Sequence, residues 1–219
     1  MIRAMIFDMD GTLVDSETVH FEAWKKTLAS HGVTNFPFKD FISYVGASNE
    51  KLADDYIQSG GLEVARDRLV QEKQIIYLNM ISGIRLLDGV EETIRKYFGK
   101  YRLAVASSSD CVELEKILET VGMRSSFEQV IGGDLVSRKK PDPEIYLKTA
   151  SLLSLAPQEC VAFEDSESGL AAAKDAGMFV VAVPNRLSKH HEFSRADLII
   201  DSIDQVDALT LSSFSAAAT

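Results

Sequence analysis

The chain has 219 residues, of which 46% are hydrophobic and 26% charged, and its formal net charge is −10. That length and apolar content suffice for one large core or for a core with an insertion, and the balance excludes wholesale disorder. The acidic excess argues against a nucleic-acid groove, which needs a dense basic surface to displace phosphate counterions, but it leaves room for one locally positive pocket.

In chain order, Ala4 to Phe7 reads as a short buried strand ending at Asp8. The residues before Asp8 are too few for a signal-sequence apolar region, and no apolar run approaches the roughly 20 residues that span a bilayer. From Ser16 to Ile84 helical patterns replace strands. Phe21, Trp24, Lys25 and Leu28 make one face that ends near Gly32; Leu52 to Ile57 make a second, closed by Gly60-Gly61; Leu69 to Met80 make a third. Strand-like runs return at Leu103 to Ala106 and Gln129 to Ile131, separated by a helix over Glu113 to Val121. Leu114, Ile117, Leu118 and Val121 form its apolar face, and Gly122 stops it. Val161 to Phe163 is the next strand, then a helix from Ser166 to Ala176 ending at Gly177, then strands at Phe179 to Val183 and Leu198 to Ile200. A Ser/Ala-rich tail after Leu211 is expected to fray.

Strands alternating with helices imply parallel pairing through right-handed crossovers: an α/β fold with a Rossmann-like, doubly wound parallel sheet. Residues 1–15 and 85–219 should form this core, and residues 16–84 an inserted α-helical cap domain. An insertion leaving just after the first strand would sit over the crevice where such sheets bind ligands. Cys111 and Cys160 form neither a metal-type pair nor a disulfide framework, so a cytoplasmic protein is expected, without membrane or nucleic-acid partners and as a monomer or weak homo-oligomer.

Polar clusters follow four of the strands. The first, Asp8-Met9-Asp10-Gly11, could be a plain Asp-Gly turn. It is not a calcium loop of the EF-hand kind, because Gly11 is fourth rather than sixth and Val19 stands twelfth. After the second strand come Ser107-Ser108-Ser109-Asp110, after the third Lys139-Lys140-Pro141-Asp142-Pro143, and after Val161 to Phe163 come Glu164-Asp165-Ser166. Each has a plain structural explanation: Ser109, Asp110, Asp165 or Ser166 as helix N-caps, Pro143 as a first helical residue, Lys139-Lys140 as a solvated loop. All four nevertheless belong to one end of one parallel sheet, and acids, hydroxyls and a lysine are chemically complementary.

The segment Asp8-Met9-Asp10-Gly11-Thr12-Leu13-Val14-Asp15-Ser16 resembles the first signature of haloacid dehalogenase superfamily phosphatases. Ser107 matches the second signature, Lys140 followed by Pro141-Asp142-Pro143 the third, and Glu164-Asp165-Ser166-x-x-Gly169 the fourth. The similarity runs from Ile2 to about Asn185, and the helical insertion agrees with the cap of this branch. The resemblance implies a phosphoryl-transfer enzyme with Asp8 as nucleophile and Mg²⁺ as cofactor. Asp8, Asp165 and the backbone carbonyl of Asp10 would be metal ligands, and Glu164 a ligand or the holder of a metal-bound water. Ser107 and Lys140 would steady the phosphoryl oxygens. Such a set of charges is physically required. A carboxylate about 3.5 Å from a dianionic phosphate meets roughly 9 kcal/mol of repulsion at an effective dielectric of about 20. That would slow attack by more than about six orders of magnitude without cations. Asp10 would protonate the leaving alkoxide and then activate water against the aspartyl-phosphate; relatives that cleave carbon–halogen bonds lack this second acid.

Within the superfamily the chain most resembles the branch of β-phosphoglucomutase and small-molecule phosphatases. His20, in His20-Phe21-Glu22-Ala23-Trp24, is similar to the mutase segment at the cap hinge, and Lys73 with Tyr77 to the cap lysine element. The plain alternatives are a packed or capping histidine and a solvated helix lysine. Ser48, Asn49 and Ser108 join His20 and Lys73 as substrate-binding candidates. The mutase pattern carries a lysine and an arginine at the first and last positions of the loop Val45-Gly46-Ala47-Ser48-Asn49, and this chain has neither. A mutase must grip a second phosphate, which a guanidinium fork suits. The expectation is therefore a phosphatase acting on a small phosphate monoester, a sugar phosphate or similar metabolite. A β-phosphoglucomutase-type mutase is the alternative, and a non-catalytic phospho-metabolite binding protein the remote one.

Overall fold

The computed structural model describes residues 1–45 and 47–217, the last three as backbone only. In chain order the main elements are β1 (Ala4–Phe7), α1 (Glu17–Ser30), α2 (Phe38–Phe41), α3 (Asn49–Gly60), α4 (Arg66–Met80), α5 (Val90–Tyr97), β2 (Arg102–Ala106), α6 (Cys111–Thr120), β3 (Gln129–Ile131), α7 (Glu144–Leu152), β4 (Cys160–Glu164), α8 (Glu167–Asp175), β5 (Phe179–Ala182), β6 (Leu198–Ile199) and α9 (Ala208–Ala217). Two compact units emerge: Met1–Asp15 with Arg85–Thr219, and Ser16–Ile84.

The first unit is built on a six-stranded sheet in the order β3-β2-β1-β4-β5-β6, with every pairing parallel. The doubly wound fold read from the alternation of strands and helices is the fold observed. Strands buried on both faces read as unbroken apolar runs, and β1 and β4 are fully buried along their length. The side-chain period of two then assigns the faces. Ala4, Ile6, Ala104, Ala106 and Ala162 share one face with Tyr146 of α7 and Leu170 and Ala172 of α8. The small side chains on that face admit close approach of both helices. The chain runs from β1 outward to β2 and β3, then crosses to β4 on the other side of β1, so the sheet order reverses between β1 and β4. A crevice at the carboxyl ends of those two strands is where ligands bind in sheets of this type.

The helical unit packs α4 against α1 and α3. Phe21, Phe36, Phe38 and Phe41 form an aromatic cluster in it, with ring centroids 5.0 to 6.3 Å apart. Gly61 ends α3 in the left-handed conformation, a region closed to most side chains. One expectation is corrected and one plain alternative is excluded. The tail after Leu211, expected to fray, continues α9 to Ala217, with Leu211 and Phe214 buried; Ala218 and Thr219 lie outside the described residues. Lys139-Lys140 is not a solvated pair, because the Lys140 side chain is 4% exposed.

Candidate active site

The site starts where β1 stops. Phe7 pairs with Phe163 across the sheet and their rings stack at 4.8 Å, so Asp8 and Glu164 leave adjacent strands at the same level. Asp8 continues the parity of Ala4 and Ile6, and Glu164 that of Ala162. Both carboxylates therefore face α7 and α8. Beyond Asp8 the chain turns sharply: Gly11 sits at φ 82° and donates its N–H to the Val14 carbonyl at 2.9 Å. A Cβ at Gly11 would overlap the carboxylate of Asp165, so only glycine lets this turn approach the end of β4.

Lys140 is the hub. Its ammonium donates to Asp8 Oδ1 at 2.6 Å, to Glu164 Oε1 at 2.5 Å and to the Ala106 carbonyl at 2.9 Å, using all three donors. Tyr146 donates its hydroxyl to the same Glu164 oxygen, and its ring lies 5.1 Å from the ammonium. Ser166 Oγ donates to the other Glu164 oxygen at 3.2 Å and accepts the Gly169 N–H at 3.1 Å, which caps α8. A Cβ at Gly169 would collide with the Glu164 carboxyl group, so the glycine of the fourth signature makes room for an acid. Of the cap assignments read from sequence, Ser166 is a side-chain cap; Asp110 occupies the N-cap of α6 without a capping hydrogen bond. Pro143 is the N-cap of α7 rather than its first residue.

Asp165 accepts the Asn185 side-chain amide at 2.7 Å, and the same amide reaches the Gly11 carbonyl at 3.2 Å. Asp10 Oδ2 accepts Ser109 Oγ at 2.9 Å and Ser107 Oγ at 3.5 Å. Asp8, Glu164 and Asp165 are all buried, and each offers an oxygen within 4.8 Å of the others. Burial pushes the Asp8 carboxyl up to about 8, against the pull of Lys140, and Glu164 and Asp10 add to the rise. Burial opposes the charge on Lys140 too, yet Asp8 and Glu164 hold its pKa well above the ordinary lysine value. Two buried carboxylates, Asp8 and Glu164, thus flank one ammonium, and Asp165 adds a third buried acid nearby. That excess of negative charge and this all-oxygen donor set fit a hard divalent cation.

Of the residues singled out from sequence, Asp8, Asp10, Ser107, Lys140, Glu164 and Asp165 come together in the first unit. Ser108 is on the same loop, half-buried. His20, Ser48, Asn49 and Lys73 belong to the helical unit. There Lys73 is fully buried, which overturns the solvated-lysine alternative; its ammonium lies 2.8 Å from His20 Nδ1 and 4.5 Å from the Tyr77 ring centroid. His20 stacks on Tyr77 at 4.1 Å. Ser48 caps α3 by accepting the Lys51 N–H at 3.3 Å, and Asn49 Oδ1 accepts the Trp24 indole N–H at 3.2 Å. Gly46 of the same loop lies outside the described residues. Sequence reasoning gave no role to Tyr146 or Asn185. Tyr146 is hidden in the apolar face of α7, but Asn185 follows β5 just as the other polar clusters follow their strands, and that rule could have found it.

A doubly wound sheet with two strand-end aspartates, a buried lysine and a second acidic pair makes a carboxylate-rich site at the ligand-binding end of an α/β fold. A family profile described as haloacid dehalogenase-like hydrolase matches residues 5–183. The chain is 32% identical over 184 residues to the fructose-1-phosphate phosphatase YqaB of Escherichia coli, covering 82% of this chain and 95% of that protein. It is 31% identical over 193 residues to the β-phosphoglucomutase of Bacillus subtilis, covering 83% of each. The crystal structure of CbbY from Rhodobacter sphaeroides in complex with phosphate superposes with a TM-score of 0.87 at 28% identity, over 94% of this chain and 96% of that one. The chain belongs to the haloacid dehalogenase-like hydrolases, in the branch that holds β-phosphoglucomutase, and it is a phosphoric monoester hydrolase of that family.

Proposed function

We propose that the protein is a Mg²⁺-dependent phosphatase that hydrolyses a small phosphate monoester, a sugar phosphate or related metabolite, through an aspartyl-phosphate on Asp8. The observation that carries this is the contact of Lys140 with both Asp8 and Glu164, with Asp10 two residues on. Lys140 holds the Asp8 carboxylate in place and screens it from the incoming phosphoryl group. Ser107 Oγ and backbone amides after Asp8 donate to the phosphoryl oxygens. Asp8, Asp165 and the Asp10 carbonyl would hold the cation, which when bound offsets the charge of nucleophile and phosphate. Glu164 already gives both oxygens to Lys140, Tyr146 and Ser166, so it acts by fixing Lys140 and, through water, the cation. Asp10 gives its proton to the leaving oxygen as the P–O bond breaks and later takes one from the water that cleaves the acyl phosphate.

Hydrolysis is favoured over isomerisation because Val45 and Asn49 stand where the mutase pattern has cations, and the Asn49 amide oxygen is held by Trp24. Losing a charge-assisted contact to a second phosphate typically costs about 1.5–3 kcal/mol. The helical unit is proposed to select the substrate, with His20, Lys73, Ser48 and Asn49 as candidate contacts, and Ser108 of the first unit as a further candidate.

The test is phosphate release from a panel of metabolite monoesters with and without Mg²⁺. β-Glucose 1-phosphate with a trace of the 1,6-bisphosphate is included, and glucose 6-phosphate is followed separately. Asp8→Asn should fold and lose nearly all turnover. Retention of more than about a tenth of the rate, or full wild-type activity in EDTA, overturns the mechanism. Glucose 6-phosphate appearing faster than free phosphate makes the protein a mutase.

A further inference from the structure

The loop after β2 contains a residue whose hydroxyl is spent on Asp10 rather than on the helix that follows it. Ser109 directly precedes Asp110, the N-cap residue of α6, and a serine there has an obvious structural use. That use is already filled. Asp134 Oδ1 accepts the Cys111 N–H at 2.8 Å, so the first turn of α6 is capped from another loop. Ser109 Oγ instead donates to Asp10 Oδ2 at 2.9 Å.

The backbone of Ser109 is held from two sides. Its carbonyl accepts the Gly133 N–H at 2.9 Å, and its own N–H donates to Ser107 Oγ at 3.2 Å. A Cβ on Gly133 would overlap the Ser108 carbonyl, and one on Gly132 would overlap the Cys111 backbone nitrogen. The Gly132-Gly133 pair thus lets the end of β3 clamp this loop. Ser107 and Ser109 address the same Asp10 oxygen, and Ser107 is the more distant at 3.5 Å.

We infer that Ser109 is a positioning residue for the acid–base function of Asp10. The hydrogen bond from its hydroxyl to Oδ2 restrains the rotation of the Asp10 carboxyl group. The inference rests on the acid–base reading of Asp10 given above and adds to it a residue outside the four signatures.

Proton donation matters in proportion to how poor the leaving group is, so the chemistry itself separates this role from general structural support. The experiment measures kcat/KM, which reports steps through phosphoenzyme formation, for p-nitrophenyl phosphate (a good leaving group) and phenyl phosphate (a poor one). Wild type, Ser109→Ala, Ser109→Thr and Asp10→Asn are compared in Mg²⁺. The expected result is a loss of roughly tenfold or more on phenyl phosphate in Ser109→Ala, with a change of less than about threefold on p-nitrophenyl phosphate. Asp10→Asn should show the same discrimination more strongly, and Ser109→Thr, which keeps the hydroxyl, should restore most of the phenyl phosphate rate. An equal loss on both esters, no loss on either, or failure of threonine to rescue overturns the role of Ser109. If Asp10→Asn itself does not discriminate between the esters, the acid–base reading of Asp10 fails, and this inference with it. Ser109→Gly replaces the alanine variant should that protein not melt cooperatively.

Discussion

The glycine of the fourth signature, Gly169, is explained by what stands next to it. Gly169 lies in the first turn of α8, where alanine would ordinarily gain up to about 1 kcal/mol of helix propensity. Here a Cβ would occupy the space of the Glu164 carboxyl group. Overpacking a buried site costs about 1–3 kcal/mol, and Glu164 cannot withdraw without releasing Lys140 and Tyr146. The clash outweighs the propensity. Gly169→Ala is therefore expected to lower the melting temperature and to cut phosphatase turnover at least about tenfold, since a shift of about 1 Å in a positioned group can cost about a hundredfold. Thermal melts and phosphate release on the same preparations check this; an alanine variant as stable and as active as wild type would show that Glu164 has room to move.

The elements are joined at the site by side chains that follow strands, and Asn185 is the clearest case. It comes two residues after the buried Val183 beyond β5, and it ties Asp165 at the end of β4 to the Gly11 turn after β1. Its own Oδ1 accepts the N–H groups of Leu187 and Ser188 at 2.8 and 3.2 Å, which fixes the amide so that nitrogen faces Asp165. Residues that orient a metal ligand typically contribute about ten- to a hundredfold in affinity. With Asp165 as a ligand of the proposed cation, Asn185→Ala is expected to weaken Mg²⁺ binding by that factor in isothermal titration calorimetry, with the metal-free fold retained. Unchanged affinity would mean that Asp165 is held adequately without it.

All six strands were legible from short apolar runs; β1 and β4, buried along their length, carry a continuous signal, and the edge strands β3 and β6 are apolar although partly exposed. Helices α1, α3, α4, α6 and α8 showed in their spacing and in the glycines that end several of them. Helix α5 was not singled out, α7 was marked only by Pro143 at its start, and the tail after Leu211 reads as frayed although Leu211 and Phe214 anchor α9. Asp8, Glu164 and Asp165 were legible because they stand at or just after strand ends, and Lys140 in the polar loop after β3. Tyr146 was not, since a buried tyrosine in an apolar helix face looks like core until its hydroxyl is seen to meet Glu164. The burial of Lys73 was also hidden: lysine on a helix surface is ordinarily solvated, and only the three-dimensional neighbourhood of His20 and Tyr77 shows otherwise.

At the scale of the molecule, an acidic chain with net charge −10 concentrates further negative charge in its interior. The folded state of the metal-free protein should register that cost. The Asp8 carboxyl has an ordinary value of 3.8 and is pushed up to about 8 in the fold, chiefly by burial. A carboxyl raised on folding binds protons more tightly in the native than in the unfolded state. Stability must then fall as pH rises between about 4 and about 8, the opposite of the usual salt-bridged aspartate. A neutral amide at this position removes the titration, and Glu164 keeps Lys140 paired. In EDTA, Asp8→Asn is accordingly expected to melt higher than wild type, with a gap that is small near pH 4 and grows to on the order of a few kcal/mol near pH 8. Saturating Mg²⁺ should shrink or reverse the gap, because the cation stabilises the ionised carboxylate that the variant lacks. Melting curves of both proteins across that pH range, with EDTA and with Mg²⁺, read this directly. A variant that melts below wild type in EDTA at pH 8 would mean that the pairing of Asp8 with Lys140 outweighs the cost of burying its charge.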